Sequence, residues 1–198
     1  EGLDTLAAMR DTETLLVDLV ERPEWVQKSL AQITDRYFEA YDQLYNLMKD
    51  DRGGSHFWAW APGRMSKLQC DISAMISPAM FGEFMVPVLK KMTERLDYSM
   101  YHWDGPGALG HLDHLLSIPR LSMVQWTPGA GASEVMDRQW WPYYHRILDG
   151  GKKVFLMNFR GRDNLLAFKK EFGGQLKNFL IRMRAKTLDE ANKLVTAV

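Results

Sequence analysis

Residues 98–107 read Tyr-Ser-Met-Tyr-His-Trp-Asp-Gly-Pro-Gly, residues 111–116 read His-Leu-Asp-His-Leu-Leu, and residues 121–129 read Leu-Ser-Met-Val-Gln-Trp-Thr-Pro-Gly. The first and last segments are short and rich in aromatic residues, which is typical of strands, whereas the leucines between them recur at helical spacing. Two strands joined by a helix are most simply parallel neighbours, because a parallel crossover needs about a dozen residues or more. The stretch therefore predicts a parallel α/β unit.

Polar side chains cluster at the carboxyl end of each of these two strands. His102 and Asp104 follow the first strand, and Gln125 follows the second. Parallel α/β proteins place their chemistry at the carboxyl ends of the strands, so these residues are candidates for a site. A second interpretation, in which they only cap turns, stays open.

Composition limits the classes of function. Of 198 residues, 46% are hydrophobic and 25% charged, which is typical of a globular protein. The 25 basic and 25 acidic residues balance, so neither nucleic acid nor an anionic membrane is an expected partner. No apolar run approaches the roughly 20 residues of a membrane span. No GxGxxG or GxxxxGK[ST] motif occurs, which argues against nucleotide binding of those kinds.

Cys70 is the single cysteine of the chain. It excludes an internal disulfide and favours a reducing, cytoplasmic location. A lone cysteine in an apolar setting is more often an inert buried residue than a metal ligand or a nucleophile.

The rest of the chain alternates helices and strands. Helices are predicted from Asp11 to Arg22, from Pro23 to the Gly53-Gly54 pair, and after the cap Ser77-Pro78, where Pro87 should bend the helix. Alternation of this kind predicts a parallel α/β architecture. Because helices precede the first strand, the pattern looks incomplete. The predicted strands lie near residues 56–61, 68–71, 98–102, 122–126, 153–158 and 178–183.

A family resemblance lies in three stretches of the chain. Residues 71–87, Asp-Ile-Ser-Ala-Met-Ile-Ser-Pro-Ala-Met-Phe-Gly-Glu-Phe-Met-Val-Pro, resemble a signature of the uroporphyrinogen decarboxylase superfamily. Tyr-His-Trp-Asp-Gly at 101–105 and Gln-Trp-Thr-Pro-Gly at 125–129 are similar to its two following strand ends. The resemblance implies that the chain is the carboxyl-terminal part of a TIM (β/α)8-type barrel, in one domain over residues 1–198.

The superfamily includes decarboxylases of porphyrin biosynthesis, which use no cofactor, and methyltransferases that move methyl groups between corrinoid proteins and small acceptors, several of them with zinc. The decarboxylases resemble one another in a Gly-His-Gly turn after the last strand, where this chain has Arg182-Met183-Arg184. The zinc methyltransferases carry His-x-Cys at the position of His102-x-Asp104, with a further cysteine downstream. Here an oxygen ligand replaces the first thiolate, so a zinc site at His102 and Asp104 stays open, but a thiolate-rich one does not.

The resemblance implies a methyltransferase-like protein that acts on a small molecule or a corrinoid protein. The alternatives are a porphyrin-pathway decarboxylase and an inactive barrel fragment. The expected catalytic residues are Asp71, His102 and Asp104. The expected substrate-binding residues are Gln125, Tyr101, Trp126, Trp58 and Trp60.

Two further expectations concern histidines and assembly. His111 and His114 flank Asp113 and are expected to be exposed on a helix; their i, i+3 spacing can serve a metal, but they lie away from the strand ends. A partial barrel leaves two strand edges unpaired, which predicts a homo-oligomer joined through those edges.

Overall fold

The computed structural model of the chain describes residues 1–196. Three helices come first, and a small hairpin separates them from an alternating series of strands and helices. A π-helical turn, Phe81–Met85, joins α4 to α5, and short 3-10 turns precede α6 and α7. The helices are α1 (Leu3–Arg10), α2 (Thr12–Glu21), α3 (Pro23–Met48), α4 (Pro78–Met80), α5 (Val86–Glu94), α6 (Leu112–Leu116), α7 (Trp141–Asp149), α8 (Arg162–Phe172) and α9 (Leu188–Val195).

The strands form two sheets. Strands β1 and β2 pair antiparallel as a hairpin, and the other five strands form a parallel sheet in the order β3-β4-β5-β6-β7. Each strand of the larger sheet therefore lies beside the one that precedes it in sequence. The strands are β1 (Ser55–Phe57), β2 (Ala59–Ala61), β3 (Met65–Gln69), β4 (Tyr98–Asp104), β5 (Met123–Thr127), β6 (Lys153–Phe159) and β7 (Phe179–Met183).

The prediction of one strand over residues 56–61 is wrong. The chain reverses at Trp58, whose φ of 63° lies in the left-handed region, and Phe57 then pairs with Ala59. The alternation of aromatic and small residues is the same in a straight strand and in a tight hairpin, so the pattern did not contain the turn. The parallel sheet has five strands, and the predicted strands near residues 98–102, 122–126, 153–158 and 178–183 are confirmed. The segment predicted over 68–71 is shifted, because β3 begins at Met65 and ends at Gln69, and Asp71 lies in the following 3-10 turn.

The two faces of the parallel sheet differ in what covers them. The core face carries Leu68, Tyr101, Trp103, Val124 and Trp126, which are buried in one apolar cluster with the helices. Side chains alternate between faces along a strand, so the intervening residues point the other way. This second face, the site face, carries Lys67, Gln69, His102, Asp104 and Gln125, and a smaller cluster of Met65, Met100 and Phe155 packs there against Ala61 of the hairpin.

Several local signals act as the sequence predicts. α2 ends at Glu21, and Pro23 occupies the first turn of α3. The hydroxyl of Ser77 caps α4 by accepting a hydrogen bond from the Met80 amide. The expected bend near Pro87 takes the form of the π-helical turn immediately before α5, since proline offers no amide to the preceding turn.

Strands β3 and β7 are the two edges of the parallel sheet. The outer edge of β3 is partly capped, because Met65 receives a hydrogen bond from Tyr41 on its carbonyl and donates its amide to the Ser55 hydroxyl. The oligomer expected from open strand edges stays a prediction. No helix within residues 1–196 combines the length and the apolar character needed to cross a membrane.

Candidate functional site

Three potential metal ligands meet at the carboxyl ends of β3 and β4. Asp71, His102 and Asp104 each offer one ligand atom, and these atoms lie within 4.8 Å of one another. Asp71 begins the 3-10 turn after β3, whereas His102 and Asp104 lie two residues apart on β4 and so share the site face. The structure thus brings together the three predicted catalytic residues.

Gln125 fixes the orientation of the His102 ring. Its side-chain nitrogen donates to the Trp126 carbonyl at 2.7 Å and to the Thr127 hydroxyl at 2.9 Å, which identifies that atom as the nitrogen of the amide. The Gln125 oxygen therefore faces Nδ1 of His102 and accepts a hydrogen bond from the protonated Nδ1. In the neutral ring this leaves the lone pair on Nε2, which faces the Asp104 carboxylate at 3.7 Å.

Asp71 is the exposed member of the cluster, and its neighbours are polar. Gln69 donates its side-chain nitrogen to the Asp71 carboxylate at 2.9 Å. Burial raises the pKa of Asp71, and the charge of Asp4 adds to that rise, while His102 and Lys67 oppose it. Two carboxylates and one imidazole lone pair converging in this way form a set of donors that a proton or a cation can share.

Asp104 and Trp58 complete the surroundings of His102. One carboxylate oxygen of Asp104, Oδ1, is buried without a hydrogen-bond partner among the described residues. The Trp58 ring, at the tip of the hairpin, stands edge-on to His102 with 5.2 Å between the ring centres. The prediction that Trp58 borders the site therefore agrees with its position.

Three other aromatic residues do not lie where the sequence analysis expected them. Tyr101 and Trp126 point to the core face and are 2% and 1% exposed, because their odd-even position on the strands is opposite to that of His102 and Gln125. Trp60 alternates with Ala59 and Ala61 on the hairpin and turns away from the sheet, donating its indole proton to Asp50 at 3.0 Å. These three side chains do not wall the site.

His111 and Cys70 both lie on the core face of the sheet. His111 is 1% exposed, not solvent-exposed as expected, because its ring stacks on Phe81 and its Nε2 donates to the Ser73 carbonyl at 2.8 Å. Cys70 is buried there too, and burial raises the pKa of its thiol well above the usual range. A thiolate of Cys70 is therefore not part of the cluster.

Sequence analysis missed two residues of the site, Lys67 and Gln69. Both lie on β3 at two-residue spacing before Asp71, so strict alternation from Lys67 would have placed all three on one face. The signal was lost because the strand was predicted to begin at Leu68, although it begins at Met65.

Comparisons with protein-family models, with curated proteins and with solved structures find no significant match to this chain. The chemistry of the site therefore follows from its own geometry.

The donor set suits zinc. Imidazole nitrogen and carboxylate oxygen are ordinary zinc ligands, and three protein ligands leave a fourth position open, as in catalytic zinc sites. Two such ligands in a tetrahedral site lie about 3.4 Å apart, close to the 3.7 Å between His102 Nε2 and Asp104 Oδ2. The second ring nitrogen of His102 is already hydrogen-bonded, which is the usual arrangement for a metal-binding histidine.

Proposed function

We propose that the chain belongs to a methyltransferase-like protein of the uroporphyrinogen decarboxylase superfamily, in which Asp71, His102 and Asp104 hold zinc. The observation that carries the proposal is the convergence of these three ligand atoms within 4.8 Å at the carboxyl ends of parallel strands. The resemblance of residues 71–87, 101–105 and 125–129 to the motifs of the superfamily suggests the superfamily and the methyl transfer, and the geometry supports the metal.

The proposal includes a TIM-type barrel for the parent fold. Its support is the strand order, in which each parallel strand lies beside its predecessor without reversal. An open, doubly wound sheet reverses its strand order at a switch point, whereas a barrel sheet does not.

Each side chain of the cluster has a defined task under this proposal. Bound zinc would supply an electrophilic centre that lowers the pKa of a coordinated thiol or water. His102 contributes a neutral nitrogen, held in its tautomer by Gln125, and Asp71 and Asp104 contribute negative charge. The methyl donor would be a corrinoid carried by a partner protein, and the acceptor a small molecule.

Zinc binding provides the first test. The protein, freed of metal, is titrated with zinc against a chromophoric chelator, and we expect one equivalent to bind. His102→Ala and Asp104→Ala should each abolish this binding, whereas His114→Ala, which removes a histidine outside the cluster, should not. Wild-type protein that fails to bind zinc would refute the metal site.

Decarboxylation is the second candidate, and one observation favours it. The raised pKa of Asp71 suits a carboxyl group that donates a proton, which the decarboxylation of a pyrrole acetate requires. The full-length protein should therefore be incubated with uroporphyrinogen and, separately, with a methylated corrinoid protein and a thiol. We expect methylated thiol; formation of coproporphyrinogen at an enzymatic rate would instead select the decarboxylase.

A further inference from the structure

Lys67 lies beside the zinc-binding cluster but has no place in it. It is on the site face of β3 and only 8% exposed. The ammonium lies 4.8 Å from the ring centre of Trp58 and 5.8 Å from that of Phe57, so the hairpin covers it. On its other side it donates to the side-chain oxygen of Gln69, which in turn donates to Asp71. One amide group thus separates the ammonium from the cluster.

The hydrogen bonding of this ammonium is incomplete. An ammonium has three donors, but across residues 1–196 Gln69 supplies the one oxygen that accepts from it, and no carboxylate lies within 4.0 Å of it. The carboxylates of Glu1 and Asp71 act on this charge through space without contacting it, and the two aromatic rings stabilise it further. Two of the three donors of the ammonium therefore lack an acceptor among the described residues.

Lys152 gives the contrast within the same molecule. It is 7% exposed, and its ammonium donates to the Ile118 carbonyl at 2.7 Å and to the Pro119 carbonyl at 3.1 Å. These bonds tie the loop before β5 to the start of β6, so Lys152 has a structural role. Lys67 makes no comparable link to backbone carbonyls within the described part of the chain.

The backbone beneath the covering ring is strained. Trp58 has a φ of 63°, which is an outlier for a bulky residue and strains the backbone. The conformation holds the indole between the Lys67 ammonium and the His102 ring. Such strain persists where the surroundings over-determine it, as around a binding site.

We propose that Lys67 binds the carboxylate of a small molecule beneath the hairpin, beside the zinc-binding cluster. The ligand is a monoanion, because the negative charges of Asp71 and Asp104 at this end of the sheet repel a dianion such as phosphate more strongly than a carboxylate. The identification of this molecule as the methyl acceptor rests on the proposed function. The carboxylate site itself needs only Lys67, Gln69 and the hairpin.

A pair of isosteric probes tests the site without zinc. The metal-free protein is titrated with propionate and with the uncharged propionamide, and binding is followed by NMR. A charge-assisted hydrogen bond contributes about 1.5–3 kcal/mol, so propionate should bind about tenfold tighter or more. Equal affinity for the two probes, or tighter binding of inorganic phosphate than of propionate, would overturn the proposal.

Variants assign the preference to Lys67. Lys67→Met should remove the preference for propionate, and Lys67→Arg should retain it. The matched control, Lys152→Met, should lower stability and leave the preference intact. If Lys67→Met does not fold, Lys67→Gln takes its place, and preference for propionate in that variant would refute the role of Lys67.

The outcome is independent of the zinc test. Zinc bound by the wild type together with equal affinity for the two probes would remove the carboxylate site and leave the metal site standing. Selection of propionate without any zinc binding would remove the proposed function and leave an anion site at Lys67.

Discussion

The two faces of the parallel sheet are built from the same strands but differ in composition and exposure. On β4, Tyr101 and Trp103 point to the core face and are 2% and 1% exposed, whereas His102 and Asp104 point to the site face. A side chain on the core face contributes mainly to the free energy of folding, because it removes apolar area from water. A polar side chain on the site face retains donors and acceptors for a ligand.

The difference between the faces explains why a register error matters. Side chains alternate with a period of two, so a shift by one residue exchanges a side chain of the site face for one of the core face. Cys70 and Asp71 are adjacent in sequence, yet the thiol is buried in the core and the carboxylate belongs to the cluster. Substitutions on the two faces should therefore change different measured quantities.

The largest expected effect is on stability, at Trp103. Its ring packs 4.5 Å from that of Trp126, and its indole proton is donated to the Ala108 carbonyl at 2.7 Å. Trp103→Ala should lower the free energy of unfolding by about 3–5 kcal/mol, because it leaves a cavity and an unpaired carbonyl. Urea denaturation measures the change.

Trp58→Ala is the control for that experiment. This indole is 38% exposed over the site face, so its removal should cost much less stability than the removal of Trp103. Equal losses in the two variants would mean that the hairpin belongs to the folding core and that the distinction between the faces is wrong.

The fold could be predicted largely because the strands carry strong local signals. Segments with aromatic and β-branched residues between glycine and proline turns located β4 to β7, and Ser77-Pro78 located the start of α4. The hairpin at Trp58 was missed because its φ is held by contacts with Lys67 and His102, which are distant in sequence. Non-local contacts of this kind leave no periodic pattern.

The candidate site could be predicted only in part, because the sequence locates the strands but not the face on which each side chain lies. The predicted ends of the strands identified His102 and Asp104. Tyr101 and Trp126 were wrongly assigned to the walls of the site, because that assignment requires knowledge of the face that each residue occupies. An aromatic side chain suits a buried core as well as a binding pocket, so residue type alone did not decide.

The next expected effect is on zinc affinity, at Gln125. This residue is fully buried, and its amide holds the His102 ring in the tautomer that leaves Nε2 free. Gln125→Leu should weaken zinc binding about 10–100-fold, as is usual for groups that orient a metal ligand. The measurement is the chelator titration, with the exposed Gln139→Leu as control; unchanged affinity in Gln125→Leu would show that Gln125 does not orient the ligand.

A smaller effect is expected in the pH dependence of stability, at His111. Burial lowers the pKa of this imidazole below its usual value of 6.5. Below pH 6.5 the unfolded chain takes up a proton that the folded chain does not, so stability falls as the pH falls, until the pH passes the folded pKa. His111→Gln should therefore reduce the pH dependence of the unfolding free energy between pH 7 and about pH 5.

The same variant at pH 8 provides the reference, because the imidazole is neutral in both the folded and the unfolded chain at that pH. The difference in unfolding free energy between the wild type and the variant at pH 8 measures the lost stacking on Phe81 and the lost hydrogen bond to Ser73. A pH slope identical to that of the wild type would contradict the burial of a neutral His111.

The smallest expected effect is at Cys70, the neighbour of a proposed zinc ligand. Because the thiol is 3% exposed on the core face and its pKa is raised by burial, it should not contact zinc. Cys70→Ala should leave zinc affinity unchanged in the chelator titration and lower stability by only about 1 kcal/mol, the value of a small buried apolar group. The adjacent Asp71→Ala is the matched comparison, and it should weaken zinc binding while changing stability little. Loss of zinc affinity in Cys70→Ala would mean that the thiol reaches the metal, so that residues 70 and 71 do not divide between the two faces.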